Sequence, residues 1–257
     1  TAQIVETDWR CAYFNGYADG NGGFYVVAER DCKADALASK LGVTLGSGAT
    51  YIWDACYIFH IQDASRAEVD VKTVYEPQYT ADGSNPRQNV SHYNKGDTFL
   101  DSDGNLHIIY TVTVKNRNNM FYAIYDRNLN EIKNAPITLT VTNDRKISYC
   151  VSLAEDSDGN MYIFAIYAYA SEKTAKVEIW KSADGGMTYN KIVEPVELKV
   201  KTDDGNTDAT LSPSNMISST RRNFSLQDNV VGILIANSNS TGLSDYYYFS
   251  IELPGND

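Results

Sequence analysis

Two continuous apolar runs, each preceded by the same acidic turn, organise the middle of the chain. The turn reads DSDGN in both places, and its second aspartates, Asp103 and Asp158, lie 55 residues apart. The runs that follow, Leu106–Val112 and Met161–Tyr167, are apolar at both alternating positions. A strand with one face in water alternates polar and apolar residues, so these runs predict strands that are buried on both faces.

Each buried run is followed by two further predicted strands, and one more precedes the acidic turn. We label the strands of a unit A to D, so that the buried run is strand B. Strand C is rich in aromatic residues, and strand D alternates, as expected of a partly solvated outer strand. Strands C and D are Met120–Tyr125 and Ile137–Val141 in one unit, and Val177–Trp180 and Val196–Val200 in the other.

The same order recurs less regularly near both ends of the chain. At the start, Asp19–Gly23 supplies the turn and Phe24–Ala28 the buried strand, with YIWDACYIFHI and VDVKTV as strands C and D. Near the end, LQDNVVGILIA and DYYYFSIEL supply a turn and two strands, and AQIVE at the chain start is suited to completing that unit. Such a pattern predicts an all-β fold, a single β-propeller over residues 1–257 with about four four-stranded blades. A fifth blade, a segment of a longer chain and a β-sandwich stay open as alternatives.

One turn carries a more specific motif, SADGGMTY, between predicted strands C and D of the third unit. It matches the pattern S-x-D-x-G-x-T-aromatic at Ser182, Asp184, Gly186, Thr188 and Tyr189. On these residues the chain resembles the BNR/Asp-box propellers, the sialidase-like family. The resemblance implies that the Asp box is a structural turn, in a family of sialidases, other glycan hydrolases and lyases, and binding propellers without catalysis. The arginine motif R-I-P of sialidases is missing, so sialidase activity is not expected.

Charge and composition narrow the classes of partner. The net charge of −11 argues against nucleic acid, which requires a basic surface. No apolar run approaches the roughly 18 residues of a membrane span, so no membrane insertion is expected. An EF-hand loop starting at either DSDGN would need a carboxylate at its twelfth position, where Val112 and Tyr167 stand. We therefore expect no metal, and no cofactor motif is present.

The four cysteines leave two interpretations open. Cys56 and Cys150 lie in apolar runs, which favours buried thiols. A disulfide between Cys11 and either Cys32 or Cys56 stays possible on the sequence alone.

The loops opposite the acidic turns are the expected ligand face, because they are longer and more varied. They include the insert Arg30–Ala49, which contains a predicted short helix. Arginine and aromatic residues at this end suit carbohydrate, since rings stack on sugars and guanidinium groups bind oxygens. The candidates are Trp9, Arg10, Arg30, His92, Tyr93, Arg145, Tyr149, Arg221 and Arg222.

Glycoside hydrolysis would need two nearby carboxyl groups. Asp8, Asp54 and Glu29 are the catalytic candidates, with Asp31 beside them. Asp54 is embedded in an apolar strand, where a carboxylate must find a partner or shift its pKa.

The sequence as a whole predicts an extracellular or cell-surface propeller that binds glycan on its loop-rich face without turnover. A glycoside hydrolase or polysaccharide lyase on the same scaffold is one alternative. A protein-interaction or adhesion module is the other. The sequence does not indicate an oligomeric state.

Overall fold

The protein is described by a computed structural model over residues 10–43, 51–63, 69–79, 88–93, 95–114, 117–141, 147–169, 175–198, 230–238 and 244–252. These residues form antiparallel β-sheets and one short helix, α1 (Ala34–Leu41). The prediction of an all-β fold is therefore confirmed. Among the described residues, no helix is long and apolar enough to cross a membrane.

The chain divides into two compact units. The first comprises residues 1–94 and 104–137, and the second comprises residues 95–103 and 138–257. The strands of the first unit are β1 (Arg10–Ala18), β2 (Phe24–Lys33), β3 (Tyr51–Ile52), β4 (Cys56–Ile61), β5 (Val69–Tyr75), β6 (Gln88–Ser91), β8 (Leu106–Val114), β9 (Arg117–Tyr125) and β10 (Glu131–Pro136). The strands of the second are β7 (Asp97–Leu100), β11 (Ile147–Glu155), β12 (Met161–Tyr169), β13 (Ala175–Ser182), β14 (Asn190–Leu198), β15 (Val230–Ser238) and β16 (Ser244–Glu252).

The first unit contains two antiparallel sheets. One has the order β1-β2-β4-β5, with β3 beside the end of β2, and the other has the order β6-β8-β9-β10. Strand β8 is buried from Leu106 to Val112, which confirms a strand enclosed on both faces. The sheets are joined by polar contacts, since Tyr25 Oη donates to the carbonyl of Arg127 at 2.8 Å and Asn134 Nδ2 to that of Val74 at 2.9 Å.

The second unit repeats the same arrangement once in full. Its main sheet has the order β11-β12-β13-β14, and β15 pairs with β16. The core of the main sheet is built from small and branched side chains around Phe164 and Ile166. Strand β7 adds a polar contact, because the Asp97 carboxylate accepts from the backbone N–H of Leu153 at 3.0 Å.

Most predicted elements match the structure, with three differences. The outer strand predicted at Val196–Val200 is β14, which begins at Asn190. The helix predicted in the insert after Arg30 is confirmed as α1. The third strand of the first unit is interrupted, because residues 53–55 separate β3 from β4. The predicted strand Ile137–Val141 is wrong, since the outer strand is β10 and ends at Pro136. The alternation there arises because Leu139 and Val141 are buried, while Thr140 Oγ1 donates to the Glu178 carboxylate at 2.6 Å. AQIVE lies outside the described residues.

The cysteines, all four within described residues, form no disulfide. Cys56 and Cys150 are buried as predicted. Burial raises the pKa of the Cys56 thiol and raises that of Cys32 to about 11.

Aspartate side chains close the turns between consecutive strands. In three turns the carboxylate Oδ1 accepts the backbone N–H groups two and four residues further on. The donors are Asn21 and Gly23 for Asp19, Asn128 and Asn130 for Asp126, and Asp158 and Asn160 for Asp156, at 2.7–3.0 Å. Glycine supplies a left-handed backbone where the DSDGN turn needs it, with φ 79° at Gly159. The DSDGN turn at Asp156 is thus a hydrogen-bonded connection between the paired strands β11 and β12.

The turn from Ser182 to Tyr189, between β13 and β14, uses a denser set of bonds. Asp184 accepts from Thr188 Oγ1 at 2.6 Å, from Ser182 Oγ at 2.7 Å and from the backbone N–H of Thr188 at 2.8 Å. The same Ser182 hydroxyl accepts the backbone N–H of Gly186 at 2.9 Å. The Thr188 hydroxyl, followed by these other bonds, lowers the pKa of Asp184 to about 2.

Replacing Thr188 with valine should destabilise the fold by an amount that depends on pH. The pKa of Asp184 lies below its ordinary 3.8 in the folded protein, so the stabilisation is present above that value and is lost as the pH falls towards about 2. Urea unfolding of wild type and Thr188→Val should therefore differ most at neutral pH and converge between pH 4 and 2. Thr73→Val on the exposed side of β5 is the matched control. A constant difference across that range would contradict the role given to Asp184.

Candidate functional site

Near its end, strand β2 carries three consecutive charged residues that are all buried, Glu29, Arg30 and Asp31. They lie where β2 leads into α1, at the end of the sheet that carries the β2–β4 and β5–β6 connections. This is the loop-rich end that the sequence predicts as the ligand face. Because successive side chains of a strand point to opposite faces, Glu29 and Arg30 organise two different groups of residues.

Arg30 is the centre of a buried ionic cluster. Its Nε donates to Asp54 Oδ1 at 2.7 Å and its Nη2 to Asp54 Oδ2 at 2.9 Å, a bidentate pair. Its Nη1 donates to Glu76 Oε1 and to the hydroxyl of Tyr57. The Tyr79 hydroxyl donates to Asp54 Oδ2 at 2.9 Å. Arg30 is thereby engaged by two carboxylates.

The surroundings shift the pKa values within this cluster. Burial alone would lower the pKa of Arg30, but the hydrogen bonds and charge of Asp54 raise it above its ordinary value. Burial raises the pKa values of Tyr57 and Tyr79, so both remain hydroxyl donors at neutral pH. Tyr79 also packs against the small apolar cluster of Leu37 in α1 and Ile52 in β3. The helical insert therefore shields the Arg30–Asp54 pair from water.

Glu29 holds the segment that follows β6. Its Oε1 accepts the backbone N–H of His92 at 2.7 Å and that of Tyr93 at 3.3 Å. His92 is fully buried, with Nδ1 at 3.0 Å from the same oxygen. The direction of Tyr93 as it leaves β6 is consequently fixed by a buried carboxylate on another strand.

Three aromatic side chains lie next to these buried groups, and we call Tyr13, Trp53 and Tyr93 the aromatic patch. The ring centroid of Tyr13 lies 5.5 Å from that of Tyr93 and 6.1 Å from that of Trp53. Tyr13 is 40% exposed and Tyr93 54% exposed. The Trp53 carbonyl accepts the N–H of Val90 in β6 at 2.6 Å, which ties the Trp53 segment to the strand that leads to Tyr93.

A β-bulge places Tyr13 in the patch. Ala12 pairs with Glu29 and Asn15 with Val27, so Tyr13 and Phe14 together stand opposite one residue of β2. Tyr13 has a φ of 53°, a left-handed backbone that is uncommon for residues other than glycine. Bulges of this kind redirect side chains. Phe14, the residue after Tyr13, is also exposed.

The structure gathers five of the candidate residues at this end of the first unit, namely Glu29, Arg30, Asp54, His92 and Tyr93. Tyr149 is buried in the second unit, with Lys95 Nζ 5.4 Å from its ring centroid. Arg10 begins β1, but its side chain lies outside the described set. Asp8, Trp9, Arg145, Arg221 and Arg222 also lie outside the described residues. The roles proposed for all of these residues stay predictions.

The sequence pattern does not single out five residues of this region: Tyr13, Trp53, Tyr57, Glu76 and Tyr79. One signal was available in the sequence. The charged Asp54 interrupts an apolar run, and the structure has the break between β3 and β4 at this point. The position of Tyr13 depends on the register of β1 against β2, for which the sequence carries no local signal.

Two buried nitrogens in this region have no hydrogen-bond partner, Trp53 Nε1 and His92 Nε2. Buried polar atoms are usually paired with protein or water, and both of these atoms are enclosed by the protein. In the described part of the chain, no group of three His, Cys, Asp or Glu side chains is arranged to hold a metal ion.

No family model and no curated protein matches the chain. Solved structures that resemble it include an endo-arabinase from Bacteroides thetaiotaomicron VPI-5482, with a TM-score of 0.41 and 8% identity over 98% of this chain and 80% of that one. The polysaccharide lyase Uly1 has a TM-score of 0.38 and 10% identity over 95% of this chain and 58% of that one. An endo-1,4-beta-xylanase from Bacteroides thetaiotaomicron VPI-5482 has a TM-score of 0.34 and 12% identity over 95% of this chain and 97% of that one. At these scores the likeness assigns neither topology nor activity.

Proposed function

We propose that this protein binds glycan at the aromatic patch and does so without turnover. We further propose that it is a β-propeller of about four blades, of the BNR/Asp-box type, and that it acts outside the cell or at its surface. Three sheets, each containing a row of four antiparallel strands, support the blade assignment. The bonds that Asp184 makes with Ser182 and Thr188 support the Asp-box comparison.

The observation that carries the proposal is the group of touching, partly exposed rings of Tyr13, Trp53 and Tyr93. Aromatic side chains combine a large apolar face with a polar edge, and a sugar ring likewise has apolar C–H faces and polar edges. Stacking buries both apolar faces and leaves the hydroxyls at the periphery.

The absence of turnover is proposed from the state of two catalytic candidates. Glycoside hydrolysis requires carboxyl groups that reach both sides of the scissile bond. Asp54 is 0% exposed and bound by Arg30, and Glu29 is 2% exposed and bound by the backbone of His92. Both carboxylates therefore have structural roles, in which they bind other parts of the protein.

Replacing Tyr93 with alanine should weaken glycan binding about tenfold, because the loss of one stacked ring is worth roughly 1.4 kcal/mol. Isothermal titration with a panel of neutral and uronate-containing oligosaccharides measures this. Tyr248→Ala is the matched control, since Tyr248 is 69% exposed in the second unit. An equal loss in both variants would contradict the assignment of the site.

The same panel separates the alternative functions. Released sugars detected by chromatography would show turnover and contradict a purely binding role. Failure of the wild type to bind any sugar would overturn the proposal and favour a protein-interaction module.

A further inference from the structure

We infer that the aromatic patch recognises consecutive sugar residues within a glycan chain, rather than a single terminal sugar. The inference rests on the proposed function and adds the class of ligand. It follows from how Tyr13 and Tyr93 are oriented, and from what holds each of them.

The two exposed rings are placed to serve neighbouring sugars. The centroids of Tyr13 and Tyr93 lie 5.5 Å apart with the ring planes tilted by 38°. One flat pyranose or furanose ring cannot stack squarely on two planes with that tilt. Successive residues of a glycan chain are rotated relative to one another, and their spacing is comparable with this separation. Each tyrosine can therefore accept its own sugar.

The position of Tyr13 is imposed by the bulge in β1. Among the described residues, Leu129 is the other non-glycine residue with a positive φ. Its structural surroundings differ from those of Tyr13. Leu129 lies in a turn closed by its own N–H donating to Asp126 O at 3.0 Å. Tyr13 lies within a paired strand, and its left-handed backbone belongs to the bulge in which Tyr13 and Phe14 stand opposite one residue of β2. Strain of this kind is concentrated at functional sites, and here its effect is to turn a large ring towards Tyr93.

Both rings are positioned by one residue of β2. Glu29 pairs with Ala12 immediately before the bulge, and its carboxylate accepts the backbone N–H of Tyr93 at 3.3 Å. The distance between the rings is thus set by buried groups before any ligand arrives. A preorganised pair of rings avoids the entropic cost of ordering two side chains on binding.

The patch is open along β1. Tyr13 and Tyr93 are both exposed, and Phe14, next along the strand, is exposed as well. Sites that enclose a small ligand are concave and bury most of its surface. Rings that are exposed rather than enclosed in a cavity instead allow a chain to continue past the contact at either side.

The test is a chain-length series on the intact protein. The probes are oligosaccharides of one to five residues of β-1,4-linked glucose, β-1,4-linked xylose and α-1,5-linked arabinose, titrated calorimetrically. For the series that binds, the wild-type affinity should rise at least about tenfold between one and three residues and then level off. Tyr13→Asn should abolish most of that rise, because asparagine tolerates the left-handed backbone but offers no ring.

Tyr13→Phe is the matched control, since it keeps the ring and should retain the rise. Equal thermal midpoints of wild type and variants will show that the bulge and fold are intact. An affinity independent of chain length, together with loss of binding in Tyr93→Ala, would overturn this inference and leave the proposed function standing. Binding of none of these probes, nor of the wider panel, would overturn both.

Discussion

Replacing Asp54 with alanine is expected to lower the free energy of unfolding by about 3–5 kcal/mol, because it leaves the buried Arg30 without its bidentate partner. Arg30 and Asp54 are held at 2.7 and 2.9 Å, with less than a few per cent of either side chain exposed. The remaining carboxylate, Glu76, accepts from Arg30 Nη1 and is itself partly exposed. Glu76 therefore cannot replace the two parallel hydrogen bonds that the buried Asp54 accepts from Arg30. Urea unfolding followed by tryptophan fluorescence measures the loss.

Two further variants separate the charge from the packing. The double variant Arg30→Met, Asp54→Leu removes both charges and should recover much of the stability, because apolar residues of similar size can replace a buried pair. Glu76→Ala should cost far less than Asp54→Ala, since Glu76 Oε1 lies in a more exposed position. If Asp54→Ala and Glu76→Ala proved equally mild, the cluster would not be the anchor described for this end of the sheet.

Replacing Glu29 with alanine should weaken both folding and binding. The Glu29 carboxylate accepts two backbone N–H groups, from His92 and Tyr93, and its removal leaves buried donors unpaired. Hydrogen bonds to charged groups contribute about 1.5–3 kcal/mol, so we expect a loss of stability of about 2–3 kcal/mol. The segment carrying Tyr93 would also lose its fixed direction, and glycan affinity should fall about tenfold.

Glu29→Gln retains an acceptor oxygen and should keep most of the affinity. Glu178→Ala is the matched control for burial, because Glu178 in the second unit is also buried and accepts from Thr140 and Trp180. It should reduce stability to a similar degree without changing affinity. If Glu178→Ala weakened binding as much as Glu29→Ala, the effect would be one of global stability rather than of positioning Tyr93.

Much of the fold could be predicted from the sequence, because the patterns that indicate its strands and turns are local. The apolar run of β8 indicated burial on both faces, and the aspartates at positions 19, 126 and 156 lie at turns where their carboxylates bind the backbone. The prediction for Ile137–Val141 was wrong for a physical reason. Alternating burial of Leu139 and Val141 gives the same pattern as a strand, although that segment is held by the Glu178 side chain.

The candidate site could be predicted from the sequence only in part, because its geometry depends on how the strands pair. The sequence indicated that Asp54 needs a partner, and the partner is Arg30, 24 residues earlier. It also singled out His92 and Tyr93. Tyr13 could not be identified, because it reaches the patch only through a bulge that is defined by the pairing of Ala12 and Asn15 with β2. Glu76 and Tyr79 follow a strand end and join the cluster through contacts distant in sequence.

The outermost strands β5, β10 and β14 of the three larger sheets affect how readily molecules aggregate. Strands β5, β10 and β14 have neighbours on one side only in the sheet order, and a bare strand edge invites pairing with another molecule. Two of them carry a proline, Pro136 and Pro195, which has no N–H to offer to an added strand. All three carry lysine together with acidic side chains, as in the EIKNAP of β10. An incoming strand would have to cover these charges, so the outer edges oppose aggregation by strand addition.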